Sequence, residues 1–145
     1  MTVRERGFTL IEVVIGVGLL GVLAALAWAF YRDFVTKARL DEAVGIAQPV
    51  MLALGDACTA RYLDGADHAK LGLLASGDYG TATVVRSILA EGLSAQAARI
   101  TVTLKAFGDV PAGSTLVYAG NCSAMGVQWS VDGRSTLASK FLPKS

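Results

Sequence analysis

Apolar and polar positions divide the 145-residue chain into stretches of different period. From Phe8 to Tyr31 nearly every position is apolar or glycine, and Glu12 is the only charge. A helix over these residues rises roughly 36 Å, enough to cross the hydrocarbon core of a bilayer with some tilt. Beyond it, Leu40, Val44, Ala47, Met51, Leu54 and Cys58 recur at spacings of three and four, while Lys37, Arg39, Asp41, Glu42, Gln48 and Asp56 fall between them. The spacing predicts that the helix continues with one face packed on a domain and the other facing outward. Pro49 costs it one hydrogen bond and predicts a bend near Gly45 to Pro49, and the stop is expected between Thr59 and Asp64. Such a helix, from Phe8 to about Cys58, measures roughly 75 Å, so half of it must find partners outside its own domain.

Residues Leu63 to Gly80 carry four glycines and three aspartates, the composition of a connecting loop. Four stretches rich in Val, Ile, Thr and aromatics follow: Thr81 to Leu89, Ile100 to Phe107, Ser114 to Ala119 and Val127 to Val131. Ile100, Val102 and Leu104 alternate with polar neighbours, as do Val127, Trp129 and Val131, so each strand is predicted to bury one face. The apolar stripe of the helix is the element of the right length to cover it. The expected class is therefore α+β, a long N-terminal α-helix packed on a four-stranded antiparallel β-sheet. Asp132-Gly133 marks a tight turn. The alanine-rich stretch Leu89 to Arg99 reads as either strand or short helix.

Composition adjusts this picture in a few places. The hydrophobic fraction of 53% is high for a soluble globule, and much of the excess lies between Phe8 and Tyr31. The formal net charge is +1, and without residues 1–7 the chain has eleven basic and eleven acidic residues, so no nucleic-acid footprint is indicated. Arg4 and Arg6 precede the apolar run, the arrangement of an export signal, and keep that end cytoplasmic. A secretory signal cut within Ala24 to Ala27 is one alternative, although the run continues into an amphipathic helix; a plain signal anchor is another, but it leaves Glu12 unexplained. Trp28, Phe30, Tyr31 and Phe34 cluster where the run meets Arg32, as an interfacial aromatic belt would. In an exported chain the two cysteines, Cys58 and Cys122, are expected to form a disulfide that staples the helix end to the sheet, against the alternative of two buried free thiols. The single histidine, His68, reads as a surface loop residue. One histidine supports no catalytic constellation, and the acidic spacing matches no calcium loop, so neither catalytic residue, metal nor cofactor is assigned.

A carboxylate near the start of a membrane-length helix carries a cost and calls for a reason. Gly7-Phe8-Thr9-Leu10-Ile11-Glu12, behind a short basic leader, resembles the cleavage and assembly signature of type IV pilins and the related pseudopilins. With the long helix, the loop, the sheet and the tail Lys140-Phe141-Leu142-Pro143, the chain resembles a small type IVa pilin. The resemblance implies three segments: 1–7, a leader removed by an inner-membrane prepilin peptidase between Gly7 and Phe8; 8–31, the transmembrane and filament-core helix; and 32–145, the head with the amphipathic helix half. It implies N-methylation of Phe8 and an assembly role for Glu12, whose carboxylate would meet the terminal amine of a neighbouring subunit. It also implies a homo-oligomeric helical filament built by the pilus assembly machinery, from an inner-membrane precursor to an extracellular fibre. Adhesion, twitching motility and DNA uptake are the tasks such filaments serve.

Three departures from the family pattern bear on detail. Ala29 stands where pilins often carry a proline, so local melting of the helix there is not implied. Val131 stands two residues after Trp129 where small type IVa pilins commonly have a cysteine, and no cysteine lies near the end; Cys58 and Cys122 would be a relocated staple. Pro49 adds curvature. Within the resemblance, a type II secretion pseudopilin or a minor pilin is the alternative to a major pilin. The two cysteines and the missing acidic loop stand against the pseudopilin. From another class, a membrane-anchored binding module would use the helix only as an anchor.

Overall fold

The computed structural model describes residues 7–143. Most of the leader, with Arg4 and Arg6, and the last two residues lie outside this range. Helix α1 runs Leu10–Thr59 without interruption, passing Gly16, Gly18, Gly21, Ala29 and Pro49. It starts two residues later than the sequence predicts, because Thr9 is extended and caps it, its hydroxyl accepting from the Glu12 amide. The predicted stop is borne out. Arg61 adopts a left-handed φ of 62°, and the amides of Arg61 and Tyr62 donate to the carbonyls of Cys58 and Ala57, a turn that closes the helix end.

Four strands, β1 Val85–Ser94, β2 Ala97–Leu104, β3 Thr115–Ser123 and β4 Gly126–Val131, form an antiparallel sheet in chain order. The stretch Leu89 to Arg99 is the β1–β2 hairpin and not a helix. Its alanines suit either state, and the deciding term is burial of Ile88, Ala90, Ala98 and Ile100 on one face. β1 starts later than the sequence predicts because a 3-10 turn, Ser76–Thr81, precedes it. Phe107 sits outside β2, in a bridge with Val110 within the β2–β3 connection. Cys122 lies inside β3, which extends beyond the predicted Ala119. The Asp132 turn is present, its carboxylate accepting from the Arg134 amide at 3.0 Å.

The amphipathic half of α1 lies across the sheet, and all four strands touch it. The buried line is Thr36, Leu40, Ala43, Ala47, Val50, Leu54, Ala57 and Cys58. It is rotated slightly from the predicted stripe: Val44 and Met51 are half-buried, and Ala43 and Val50 take their place. Alanines at 43 and 47 carry too little bulk to hold helix and sheet apart, so the larger chains beside them interlock with Ile88, Ile100, Val102, Leu104 and Leu116. Each fully buried Leu, Ile or Val of this layer contributes about 1.5–3 kcal/mol of transfer free energy.

The two sheet edges differ. Along β1, the loop after α1 supplies partners: the Gly92 amide donates to Ala66 at 2.8 Å, and the Gly65 amide donates to Gly92 at 3.1 Å. A Cβ on Gly92 would lie 1.8 Å from the Leu63 carbonyl oxygen, so this approach requires glycine. His68, which the sequence assigns only to a surface loop, is half-buried in this cover. Its Nε2 accepts from the Ala90 amide at 2.9 Å and its Nδ1 bonds the Leu74 carbonyl at 2.7 Å, a pair that requires the neutral ring with its proton on Nδ1. β4 is the opposite edge and pairs only with β3.

Candidate assembly site

The end of α1 that carries the predicted site residues is exposed on all sides. Phe8 is 81% exposed, and Leu10, Ile11, Val13 and Val14 follow it into solvent. Glu12 is the third residue of the helix, where its carboxylate faces the partial positive charge of the unpaired first-turn amides. Its amide is held by both the carbonyl and the hydroxyl of Thr9, at 3.1 and 3.4 Å. Phe8 and Glu12 thus stand on either side of one capped turn. The sequence reading gives Thr9 no task beyond the motif, although a Thr three residues before a Glu at the head of an apolar run is itself a helix-start signal.

From Leu10 to Tyr31 nothing among the described residues covers the helix. Its most apolar 18-residue window has a mean hydropathy of 2.5 and is 0% buried. Cβ atoms built on Gly16, Gly18 and Gly21 meet nothing within 4 Å, so these positions are open to close approach by another helix. Trp28, Phe30, Tyr31 and Phe34 are all exposed at the upper end of this segment.

Immediately above, the head grips the helix. Gly108, in the β2–β3 connection, approaches so closely that a Cβ would sit 2.3 Å from the Thr36 hydroxyl, and its φ of 51° is left-handed. Thr36 is fully buried and turns its hydroxyl back to the Arg32 carbonyl at 2.9 Å. Around this contact, Arg32 pairs with Asp109, and Lys140 reaches Asp33 at 3.0 Å and Asp109 at 3.9 Å. The Lys140 ammonium also lies 4.5 Å from the centroid of the Phe141 ring. Three segments remote in sequence therefore meet where the apolar run ends. This collar is not visible in the sequence, since its members share no local pattern.

At the other end of the head, Cys58 in the last turn of α1 is bonded to Cys122 of β3, with Cα atoms 5.9 Å apart. The bond closes a 64-residue separation and fixes the helix end to the sheet, as the sequence predicts. Between collar and disulfide, Tyr118 of β3 is buried against the helix. Burial raises its phenol above the ordinary value near 10, and the Asp41 carboxylate adds to the shift.

A family model described as the prokaryotic N-terminal methylation motif matches residues 3–28. The fimbrial protein EcpC of Eikenella corrodens is 30% identical over 145 residues, covering 97% of this chain and 90% of that protein. The type IV major fimbrial protein FimA of Dichelobacter nodosus is 32% identical over 85 residues, 55% of this chain and 52% of that one. The type IV major pilin protein PilE1 of Neisseria gonorrhoeae is 40% identical over 48 residues, 33% of this chain and 29% of that one. Similarity to one fimbrial protein over nearly its whole length, on a fold in which a single long helix leads a four-stranded antiparallel head, decides the matter: the chain belongs to the type IV pilin family.

Proposed function

We propose that this chain is the structural subunit of a type IV pilus, held in the inner membrane by Phe8–Tyr31 before assembly and bundled with other copies through the same residues in the extracellular filament. The observation that carries the reading is the uncovered apolar half of α1, which has the composition of a core and no core around it. At about 25 cal/mol per Å² of apolar surface, leaving such a segment in water is strongly unfavourable, and both a bilayer and a helix bundle remove the cost.

In this reading residues 1–7 are a leader cut by prepilin peptidase between Gly7 and Phe8, residues 8–31 are the membrane and filament-core segment, and residues 32–145 are the head. The new amine of Phe8 is methylated and sits one turn from Glu12. In a bundle, the Glu12 carboxylate of one subunit faces the Phe8 amine of the next. A paired charge is tolerated in a low dielectric and an unpaired one is expelled, so the pair selects register more than it adds net stability. The filament would serve surface tasks of the kind pili perform, such as adhesion, twitching motility or DNA uptake.

Mass spectrometry of sheared surface filaments tests the core of this reading: the expected major component begins at N-methylated Phe8. Glu12→Ala is expected to give a processed, membrane-inserted subunit that competes poorly for filaments. Normal piliation by that variant would overturn the assigned role of Glu12.

A further inference from the structure

The loop between α1 and β1 is fastened to the sheet at three places. At one end Gly65 and Ala66 pair with Gly92, and at the other the Lys105 ammonium donates to the Gly80 and Ala82 carbonyls at 2.6 and 2.7 Å. Between these anchors residues 67–73 fold into a turn of their own, in which the Leu71 amide donates to Asp67 at 3.0 Å and the Leu73 amide to His68 at 2.9 Å. Among the described residues, the hydrogen bond that joins this turn to β1 is the one between the His68 ring and the Ala90 amide. We infer that His68 is an acid-sensitive latch: a second proton on its ring breaks the bond to Ala90 and uncovers the outer edge of β1. The latch lies wholly within the head, so the inference stands apart from the membrane and filament reading.

The two bonds of the ring fix its protonation. A backbone N–H donates, so the nitrogen 2.9 Å from the Ala90 amide presents its lone pair, and the nitrogen 2.7 Å from the Leu74 carbonyl carries the proton. An imidazole ordinarily gains its second proton between about pH 8 and about pH 5. Here that proton adds at Nε2, where it points at the Ala90 N–H and sets donor against donor. The Nδ1 bond to Leu74 survives, so the ring stays with the turn and the break falls between turn and strand. The latched state binds one proton fewer than the released state. Latching is therefore favoured as the pH rises and is lost as it falls. Release leaves an unpaired N–H on an edge strand, the kind of group on which a further strand can pair.

The charged groups near the ring are engaged elsewhere or exposed. Asp67 and Glu91 line the same cavity as His68, but the Asp67 carboxylate accepts from the Lys70 amide at 2.9 Å and Glu91 lies 3.8 Å from Arg99. The Lys70 ammonium is turned to the Gly65 carbonyl at 2.8 Å. From the 3-10 turn Ser76–Thr81, Tyr79 meets the imidazole edge-on with centroids 6.1 Å apart, and Asp78 is exposed. Burial raises the Tyr79 phenol, so it stays neutral throughout the acid range. Leu71 and Leu73 pack against the core from within the turn, which keeps it tethered when the latch opens and confines the change to the β1 edge.

The test follows amide exchange of the full chain in detergent micelles by NMR at about pH 7.5 and about pH 5, corrected for the intrinsic pH dependence of exchange. In the parent, protection of the Ala90 amide is expected to fall about fivefold on acidification, the worth of one net hydrogen bond, while that of Ile100 in β2 holds. His68→Gln supplies a side-chain carbonyl for the Ala90 amide and no titrating group, so its Ala90 protection should be the same at both pH values. An equal fall in parent and variant, or no fall in the parent, overturns the latch. Where the variant fails to fold or to make the bond, the parent alone decides. Its Ala90 amide resonance is expected to shift in step with titration of the His68 ring, and an amide that stays in place while the ring titrates overturns the latch.

Discussion

The two halves of α1 are continuous as a helix and opposite in what surrounds them. From Leu10 to Tyr31 every position is exposed and the surface is apolar on all sides. From Arg32 to Thr59 one line of residues is fully buried against the sheet and the other side is mostly polar. The upper half satisfies its hydrophobicity within the chain, through Leu40, Ala43, Ala47, Val50 and Leu54. The lower half cannot, and among the described residues no element of the head covers it below the collar at Arg32 to Thr36. One secondary structure thus carries two kinds of interface, one completed by folding and the other left for a second molecule or a bilayer.

Several changes break or sharpen this contrast. Removing the staple at the top of the packed half, with Cys58→Ser and Cys122→Ser together, is expected to cost about 4 kcal/mol of head stability on the loop-entropy estimate for 64 residues, read from denaturant unfolding of the full chain in detergent. The same truncation made in each half gives the sharpest pair. Leu54→Ala removes a fully buried side chain and is expected to cost roughly 2–5 kcal/mol, whereas Leu20→Ala, in the uncovered half, should leave head unfolding within about 0.5 kcal/mol of the parent. At the boundary, Gly108→Ala forces a methyl group onto Thr36 and an alanine into a left-handed conformation. A loss of about 1–3 kcal/mol is expected, with faster amide exchange near residue 36.

The smallest expected effect is on pH dependence. Because burial raises the Tyr118 phenol, the folded chain holds that proton more tightly than the unfolded chain does. This contribution is therefore complete below about pH 10 and is lost as the pH rises through the folded-state value. The unfolding midpoint should drop as the pH rises above about 10, and Tyr118→Phe should flatten the drop.

Much of this arrangement is legible from residue order. The apolar run, the helix stop, the sheet class and the cysteine partners follow from periods of 3.6 and 2 and from an even cysteine count. The sequence misses what depends on the third dimension. The buried line on α1 passes through Ala43 and Val50 instead of Val44 and Met51, because close packing on a sheet selects small residues that a hydrophobicity pattern ranks low. The β1–β2 hairpin hides in alanines whose helix preference is overridden by burial. His68 closes a sheet edge through two backbone bonds, and no local pattern in a glycine-rich loop announces that. Likewise, the collar joins Arg32 to Asp109 and Asp33 to Lys140 across 77 and 107 residues of chain, separations at which sequence patterns carry no signal. The proposed assembly motif needs no such geometry, since Phe8 and Glu12 lie four residues apart across the N-cap of α1.

The central claim is that the uncovered half of α1 is an interface between copies of this chain, and cysteine cross-linking in intact cells tests it most directly. With single cysteines placed along Phe8 to Leu26 of the full-length chain, the account predicts a regular ladder of multimers that recurs with helical spacing and weakens in Glu12→Ala. A membrane-anchored binding module would yield monomers, with no ladder at any position, and that result would contradict it.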